Sequence, residues 1–361
     1  MPLVAKELGL NHLMIISGPI ITSLGLMDEM MNSFEEHGLK WTLFNNTVQN
    51  PTIETIDEAL QMYFENKCDG LVAFGGGSPI DSAKGVAARL ARPNKTIPQM
   101  KGIMKVLRRT PILFAVPTTS GSGSEATLVA IITNSQTHEK YAITDFALIP
   151  SYVVLDAKLT CGLPQAIITT GMDALTHAVE AYLGNSYTPE TKRMSYEAIE
   201  LIFKNLYEAY TNGLDMDARA NMQKASFFAG MAFTRAYVGN VHAIAHTLGG
   251  FYNIAHGLAN AIILPYVLKA YGRSVHHKLA ELEDLILPNQ IDSDENKAKR
   301  FINRIEALNE KMKIPTSVKD IQDKDIPLMV ERAFHEANPF YPVLKIFTRQ
   351  DFVTIFQDIK G

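Results

Sequence analysis

At 361 residues the chain is too long for one simple core, and two domains are expected. Its 47% hydrophobic and 20% charged residues are the composition of an ordinary globular protein. A formal net charge of −4, with the charges scattered, gives no basic patch for nucleic acid and no polybasic stretch for a membrane surface.

In chain order, MPLVAKELGLNHLMIISG leads almost directly into a strand, His12 to Gly18, and a helical pattern follows from Leu26 to His37 with Gly38 as its C-cap. Trp41 to Asn46 reads as a second strand. Asn50-Pro51-Thr52 opens a helix to about Asn66, with Glu54, Asp57 and Glu58 near its positive end. Gly70–Phe74 and Ile112–Val116 are continuous apolar strands, and TLVAIIT and YVVLD read as two more. Alternating strands and helices with such strands predict a parallel, doubly wound α/β sheet. After Asp156 the texture changes to helix: Ile167–Leu183, Pro189–Tyr210 behind Thr188 as N-cap, Ala218–Tyr237, His242–Leu248, Gly257–Tyr271, Ala298–Met312 and Asp325–Ala337. The expected division is an α/β domain over residues 1–160 and a helical domain over residues 161–361.

Cys68 and Cys161 are too few for a disulfide framework, which fits a reducing cytoplasm. No run of about 18 or more apolar residues is present to cross a bilayer. The amino terminus lacks the basic head and apolar core of a signal peptide, and neither repeats nor low-complexity segments occur.

Two loops point to phosphate binding. Phe74-Gly75-Gly76-Gly77-Ser78-Pro79-Ile80-Asp81 leaves a strand and opens a helix, so backbone amides and the helix N-terminus can face an anion. It is not the G-x-G-x-x-G fingerprint. Pro117 to Glu125 also leaves a strand end and is rich in hydroxyls and glycine, and both loops lie where open α/β sheets bind ligands. Gly121-Ser122-Gly123 lacks the leading glycine of a hydrolase nucleophile elbow.

The helical half carries a metal-ligand pattern. Asp173 and His177 are four residues apart in GMDALTHAVEAY, as are His242 and His246 in NVHAIAHTLGGFYNIAHGLANAIILP, which also holds His256. Side chains at i and i+4 share one helix face. Imidazoles with a carboxylate are a first-row divalent-metal donor set, and an open position makes such a site catalytic. Each of these histidines, taken singly, could be a satisfied core residue; spacing does not say which four of the five candidates bind.

On GGGSPIDSAK, PTTSGSGSEAT, TTGMDALTHAVEAY and HAIAHTLGGFYNIAHGLANAIILP, in order and spacing, the chain resembles the iron-dependent (group III) alcohol dehydrogenases over essentially its whole length. The resemblance implies a Rossmann-like sheet domain and a helical domain, with Asp173, His177, His242 and His256 as metal ligands. His246 then lies beside the metal as a candidate for proton transfer. The dinucleotide site falls on Gly18, Gly75, Gly76, Gly77, Ser78, Asp81, Thr118, Thr119 and Ser122, with Lys140 approaching the nicotinamide ribose. Phe233 flanks the substrate pocket. The implied reaction is reversible hydride transfer between a small primary alcohol or aldehyde and NAD(P)(H), in a homodimer or larger homo-oligomer. Iron(II) is the expected metal, and the same donors accept Zn2+.

Three departures from the family pattern matter. Members that prefer NAD carry an Asp where this chain has Gly18, so neither the bond to the adenosine 2′-hydroxyl nor repulsion of a 2′-phosphate is present. NADP(H) is therefore expected to be accepted and is the candidate preferred cofactor, with NAD(H) also usable. Val129 replaces an Asn found in some members, which makes the pocket drier and less suited to a polyol. The family usually has further amino-terminal residues forming edge strands. Rival readings are a zinc-type glycerol dehydrogenase, a lyase related to dehydroquinate synthase, and a metal-binding protein without catalysis. The lyase needs several basic pocket residues, and only Arg235 is expected near His242 and His256.

Overall fold

Strand composition decides the architecture of the first half. The computed structural model describes residues 1–137, 139–161 and 170–361. These divide into a unit of residues 1–119 with 123–160, and a second of residues 120–122 with 161–361. Along the first run α1 (Pro2–Glu7), β1 (His12–Ile16), α2 (Pro19–Ser23), α3 (Asp28–Glu36), β2 (Lys40–Phe44), α4 (Ile53–Glu65), β3 (Gly70–Gly75), α5 (Gly77–Ala91), α6 (Ile97–Met100), β4 (Gly102–Ile103), β5 (Leu113–Pro117), β6 (Val129–Thr133), β7 (Lys140–Thr144) and β8 (Tyr152–Val153). A five-stranded parallel sheet has the order β2-β1-β3-β5-β8. Met14, Ile16, Leu71 and Ala73 pack one face against Ile56 and Ala59 of α4 and Val86 and Ala87 of α5. Leu13, Ile15, Val72 and Phe74 pack the other against Ala5 of α1 and Phe34 of α3. Both faces are covered, which is why β1 and β3 read as unbroken apolar runs; each buried Leu or Ile contributes about 1.5–3 kcal/mol.

The structure departs from the sequence expectations at α1 and β6. The chain does not lead straight into a strand: Pro2 occupies the first turn of α1, and its buried Ala5 joins the core. TLVAIIT does form a strand, β6, but outside the parallel sheet. It pairs antiparallel with β7, and β4 adds to β7 as a second, three-stranded sheet. The physical reason lies in its burial, which alternates along Val129–Thr133 instead of being continuous as in β3.

The second unit is helical: α7 (Thr170–Leu183), α8 (Pro189–Thr211), α9 (Met216–Ala236), α10 (Asn240–Tyr252), α11 (His256–Tyr271), α12 (His276–Ile286), α13 (Asp294–Lys311), α14 (Ile326–Ala337) and α15 (Arg349–Asp358). The expected helix start at Ile167 falls outside the described residues. Caps follow the sequence signals. Thr188 accepts from the Thr191 amide with Pro189 in the first turn, and Asp215, Ser293 and Thr348 cap α9, α13 and α15. Pro265 sits inside α11 and offers no N–H to the Ala261 carbonyl one turn back; the Asn309 side-chain amide donates to that carbonyl at 2.7 Å instead. A break in the helix ladder is thus repaired from α13.

Candidate metal centre and glycine loops

Helix α7 is buried from Gly171 to Leu183, so it can carry polar side chains only where they find partners. Asp173, His177 and Glu180 lie on successive turns of it. The Glu180 carboxylate accepts from the Gly239 and Val241 amides, each at 2.8 Å, and thereby caps the N-terminus of α10. It also accepts from His242 Nδ1 at 2.6 Å. That bond places the imidazole proton on Nδ1 and leaves Nε2 as an acceptor, the arrangement a metal-binding histidine requires.

The donor atoms converge. Asp173 Oδ1 lies 4.0 Å from His177 Nε2, 3.9 Å from His242 Nε2 and 3.5 Å from His256 Nε2. One ligand atom from each of Asp173, His177, His242 and His256 falls within 4.8 Å of the others. Tetrahedral bonds of ordinary length would separate neighbouring ligands by about 3.4 Å, so small side-chain movements suffice to close on an ion. Asn260, one turn after His256, donates its amide to Asp173 Oδ1 at 2.6 Å and lies 3.3 Å from His242 Nε2 and 3.2 Å from His256 Nε2. One group of N–H donors thus meets the lone pairs of three candidate ligands, which a cation would also meet. Burial lowers the pKa of His177 and, more strongly, of His242, where the neighbouring histidines add to it. Both are therefore held in the neutral, metal-binding form. Burial also pushes Glu180 up to about 7, against its three hydrogen bonds. The donor chemistry and geometry fit a first-row divalent cation.

Around this cluster, Phe233 stacks on His177 with ring centroids 4.1 Å apart. His246 stacks on His256 at 5.0 Å, and its Nδ1 pairs with Glu336 Oε1 of α14 at 2.5 Å. Tyr341 donates to the same carboxylate oxygen at 2.7 Å. Arg235, the basic residue expected nearby, pairs with Glu190 at the surface, while Arg332 of α14, unnoticed in the sequence, lies over the Phe251 ring. Glu180, Asn260, Glu336 and Tyr341 were also missed. Glu180 had a signal, since it stands two turns beyond Asp173 on one helix face. Asn260 had one too, at i+4 from His256. Glu336 is 90 residues from His246 and had none.

In the sheet unit, β1, β3 and β5 are neighbours, so Gly18, Gly75 and Pro117 lie along one carboxyl edge, at the point where the strand order reverses. Gly75 has φ +146, and a Cβ there would meet Pro79 at 2.6 Å; only glycine fits. The Thr118 amide donates to the Gly75 carbonyl at 3.0 Å, and a Cβ at Gly76 would lie 3.3 Å from the Thr119 side chain. The two loops therefore touch, with Gly77 and Ser78 in the first turn of α5. Gly18 has ordinary backbone angles, and a Cβ there would meet the Thr47 carbonyl oxygen at 3.3 Å.

The remaining residues are less simply placed. Asp81 Oδ2 accepts from the Ile131 amide of β6 at 3.2 Å, so this carboxylate already has a partner in the fold. Lys140, at the start of β7, donates to Asn50 Oδ1 at 3.1 Å, and reaching a cofactor ribose requires that bond to open. Val129 begins β6 and is half-buried. Ser122 belongs with the helical unit, inside the segment 120–122, where Gly121 approaches Thr170 so closely that a Cβ would come within 2.4 Å.

Comparison with known proteins bears on the whole chain. Residues 1–157 match the family model described as iron-containing alcohol dehydrogenase, and residues 167–359 match that of the Fe-containing alcohol dehydrogenase family, C-terminal. The chain is 38% identical over 344 residues to alcohol dehydrogenase 4 of Schizosaccharomyces pombe, covering 93% of this chain and 81% of that one. It is 34% identical over 338 residues to an NADPH-dependent butanol dehydrogenase of Clostridium saccharobutylicum, covering 91% and 86%. The solved structure of a 1,3-propanediol oxidoreductase superposes with a TM-score of 0.95 at 33% identity, covering 99% and 94%. The chain belongs to the iron-containing alcohol dehydrogenase family and is a metal-dependent alcohol dehydrogenase.

Proposed function

We propose that this enzyme moves hydride reversibly between a small primary alcohol or its aldehyde and NADP(H), with NAD(H) as an alternative cofactor. Residues 1–160 act as the dinucleotide-binding domain and residues 161–361 as the metal- and substrate-binding domain. The observation that carries the reading is the convergence of Asp173, His177, His242 and His256 within 4.8 Å.

These four residues hold the cation, iron(II) by family or Zn2+ by the same donor chemistry. A bound divalent ion supplies Lewis acidity that brings an alcohol's pKa towards neutrality, and the nicotinamide supplies the hydride chemistry. Glu180 keeps the His242 ring turned so that Nε2 is the ligand atom. His246, with its side chain 46% exposed and Nδ1 engaged by Glu336, passes the alcohol proton on towards water. Gly75, Gly76, Gly77, Ser78, Thr118, Thr119 and Ser122 present amides and hydroxyls to the dinucleotide, Asp81 braces the first loop, and Lys140 takes the nicotinamide ribose. Gly18 leaves room and no negative charge where a 2′-phosphate sits.

Phe233 offers the substrate chain an apolar wall through its stack on His177, and Val129 withholds a polar contact from polyols. The names of two relatives, one for NADPH and butanol and one for 1,3-propanediol, support short alcohols. A homodimer or larger homo-oligomer and a cytoplasmic location complete the proposal.

The test is turnover of anaerobically metal-loaded protein with NADPH or NADH over a short aldehyde panel. NADPH oxidation with butanal is expected, faster than with a polyol-derived ketone; no turnover with either nucleotide contradicts the proposal. His246→Ala should keep its metal and lose about 100-fold in kcat. If that variant loses its metal instead, the ligand assignment is wrong.

A further inference from the structure

Lys84 is wholly buried in the sheet unit, on the helix that opens from the first glycine loop. Its Nζ donates to the carbonyls of Ser124 at 2.7 Å, Thr127 at 2.7 Å and Val129 at 2.9 Å, and to Thr127 Oγ1 at 2.9 Å. All four acceptors belong to one stretch, residues 124–129, which carries the second glycine loop into β6. Asp81, one turn earlier on α5, extends the same seam by accepting from the Ile131 amide. The other ends of the loops are tied as well, through the Thr118 amide on the Gly75 carbonyl and the contact of Gly76 with Thr119.

A lysine with no exposed surface needs a reason, since an alkyl side chain would fill the same volume without desolvating a charge. Burial lowers the pKa of Lys84 and raises those of Asp81 and of the buried Glu125, while the opposite charges act against each of these shifts. An isosteric Met would take the ammonium away from the Thr127 and Val129 carbonyls and leave the Ser124 carbonyl only its longer bonds from Thr127, at 3.3 Å, so that this stretch of main chain would shift.

We infer that Lys84 is a positioning residue for the cofactor: its ammonium holds the exit of the second glycine loop against α5, so that both loops keep the separation a dinucleotide needs. This rests on the reading of those loops as the NAD(P) site. Lys84 does not touch the cofactor and acts only through the main chain of residues 124–129.

The experiment uses the metal-loaded full chain and titrates NADPH and NADH by their fluorescence, alongside metal content and steady-state rates. Lys84→Met should keep the metal of the unchanged protein, raise cofactor Kd and KM by about tenfold or more, and lower kcat at saturating cofactor by less than about threefold. Should that variant not fold, Thr127→Val removes at similar volume the hydroxyl that accepts from Lys84 and donates to the Ser124 carbonyl, and should raise cofactor Kd by about threefold. A folded variant of either kind with unchanged Kd, while the unchanged protein binds, overturns the inference alone. Loss of metal, nucleotide and kcat in step assigns Lys84 a general structural role and also overturns it. An unchanged protein that binds neither nucleotide overturns the reading of the loops and this inference with it.

Discussion

The candidate site of the helical unit is built from side chains; that of the sheet unit is built from main chain. In the first, Asp173 and His177 project from α7, His242 from α10 and His256 from the start of α11; Glu180 fixes the His242 ring, and Asn260 meets the lone pairs of Asp173 and His256. In the second, Gly75, Gly76 and Thr118 bring amides and carbonyls together at the ends of adjacent strands. A side-chain site is lost by a single substitution. A main-chain site is altered by whatever moves the chain, and a substitution there shifts affinity by degrees.

That contrast can be broken most sharply at the ligands. Asp173→Ala or His256→Ala should lose the metal and lower turnover by about 1,000-fold or more while the helical core survives, read by metal analysis and circular dichroism. A fully active, metal-free His256→Ala protein would show that the helical unit is not a side-chain site at all. Glu180→Ala comes next: losing the partner of His242 Nδ1 should weaken metal affinity by about 10- to 100-fold, measured by chelator competition. The sheet unit should respond more mildly. Gly18→Asp should shift the NADP(H)-to-NAD(H) ratio of kcat/KM towards NAD(H) by about tenfold, at unchanged metal content. The new Cβ needs the Thr47 carbonyl to give only slightly, as the 3.3 Å approach shows. An unaltered ratio would mean the 2′-position of the cofactor lies elsewhere. The smallest effect is structural. Asn309→Leu leaves the Ala261 carbonyl without its donor and should cost about 1–3 kcal/mol in denaturant unfolding, with kcat unchanged.

Legibility in the sequence followed the same contrast. Side chains at i and i+4 on apolar helices carry their geometry in their spacing, so Asp173 with His177 could be read as a convergent pair from residue order alone. Which four of the five candidates converge could not, because His256 joins His242 and His246 only through the turn between α10 and α11, and Glu336, the partner of His246, arrives from α14. In the sheet unit the strands were legible by their continuous burial and the loops by their glycines, yet β6 was placed in the wrong sheet. Its apolar composition matches a buried strand, and only its antiparallel pairing with β7 reveals the second sheet. Lys84 stood in plain view within GGGSPIDSAK, and its role depends on a segment 40 to 45 residues further on.

The sharpest test compares the metal content of protein purified anaerobically with that of His256→Ala. One iron or zinc ion per chain is expected in the unchanged protein and almost none in the variant. Equal metal in both, or none in an active unchanged protein, would contradict that expectation.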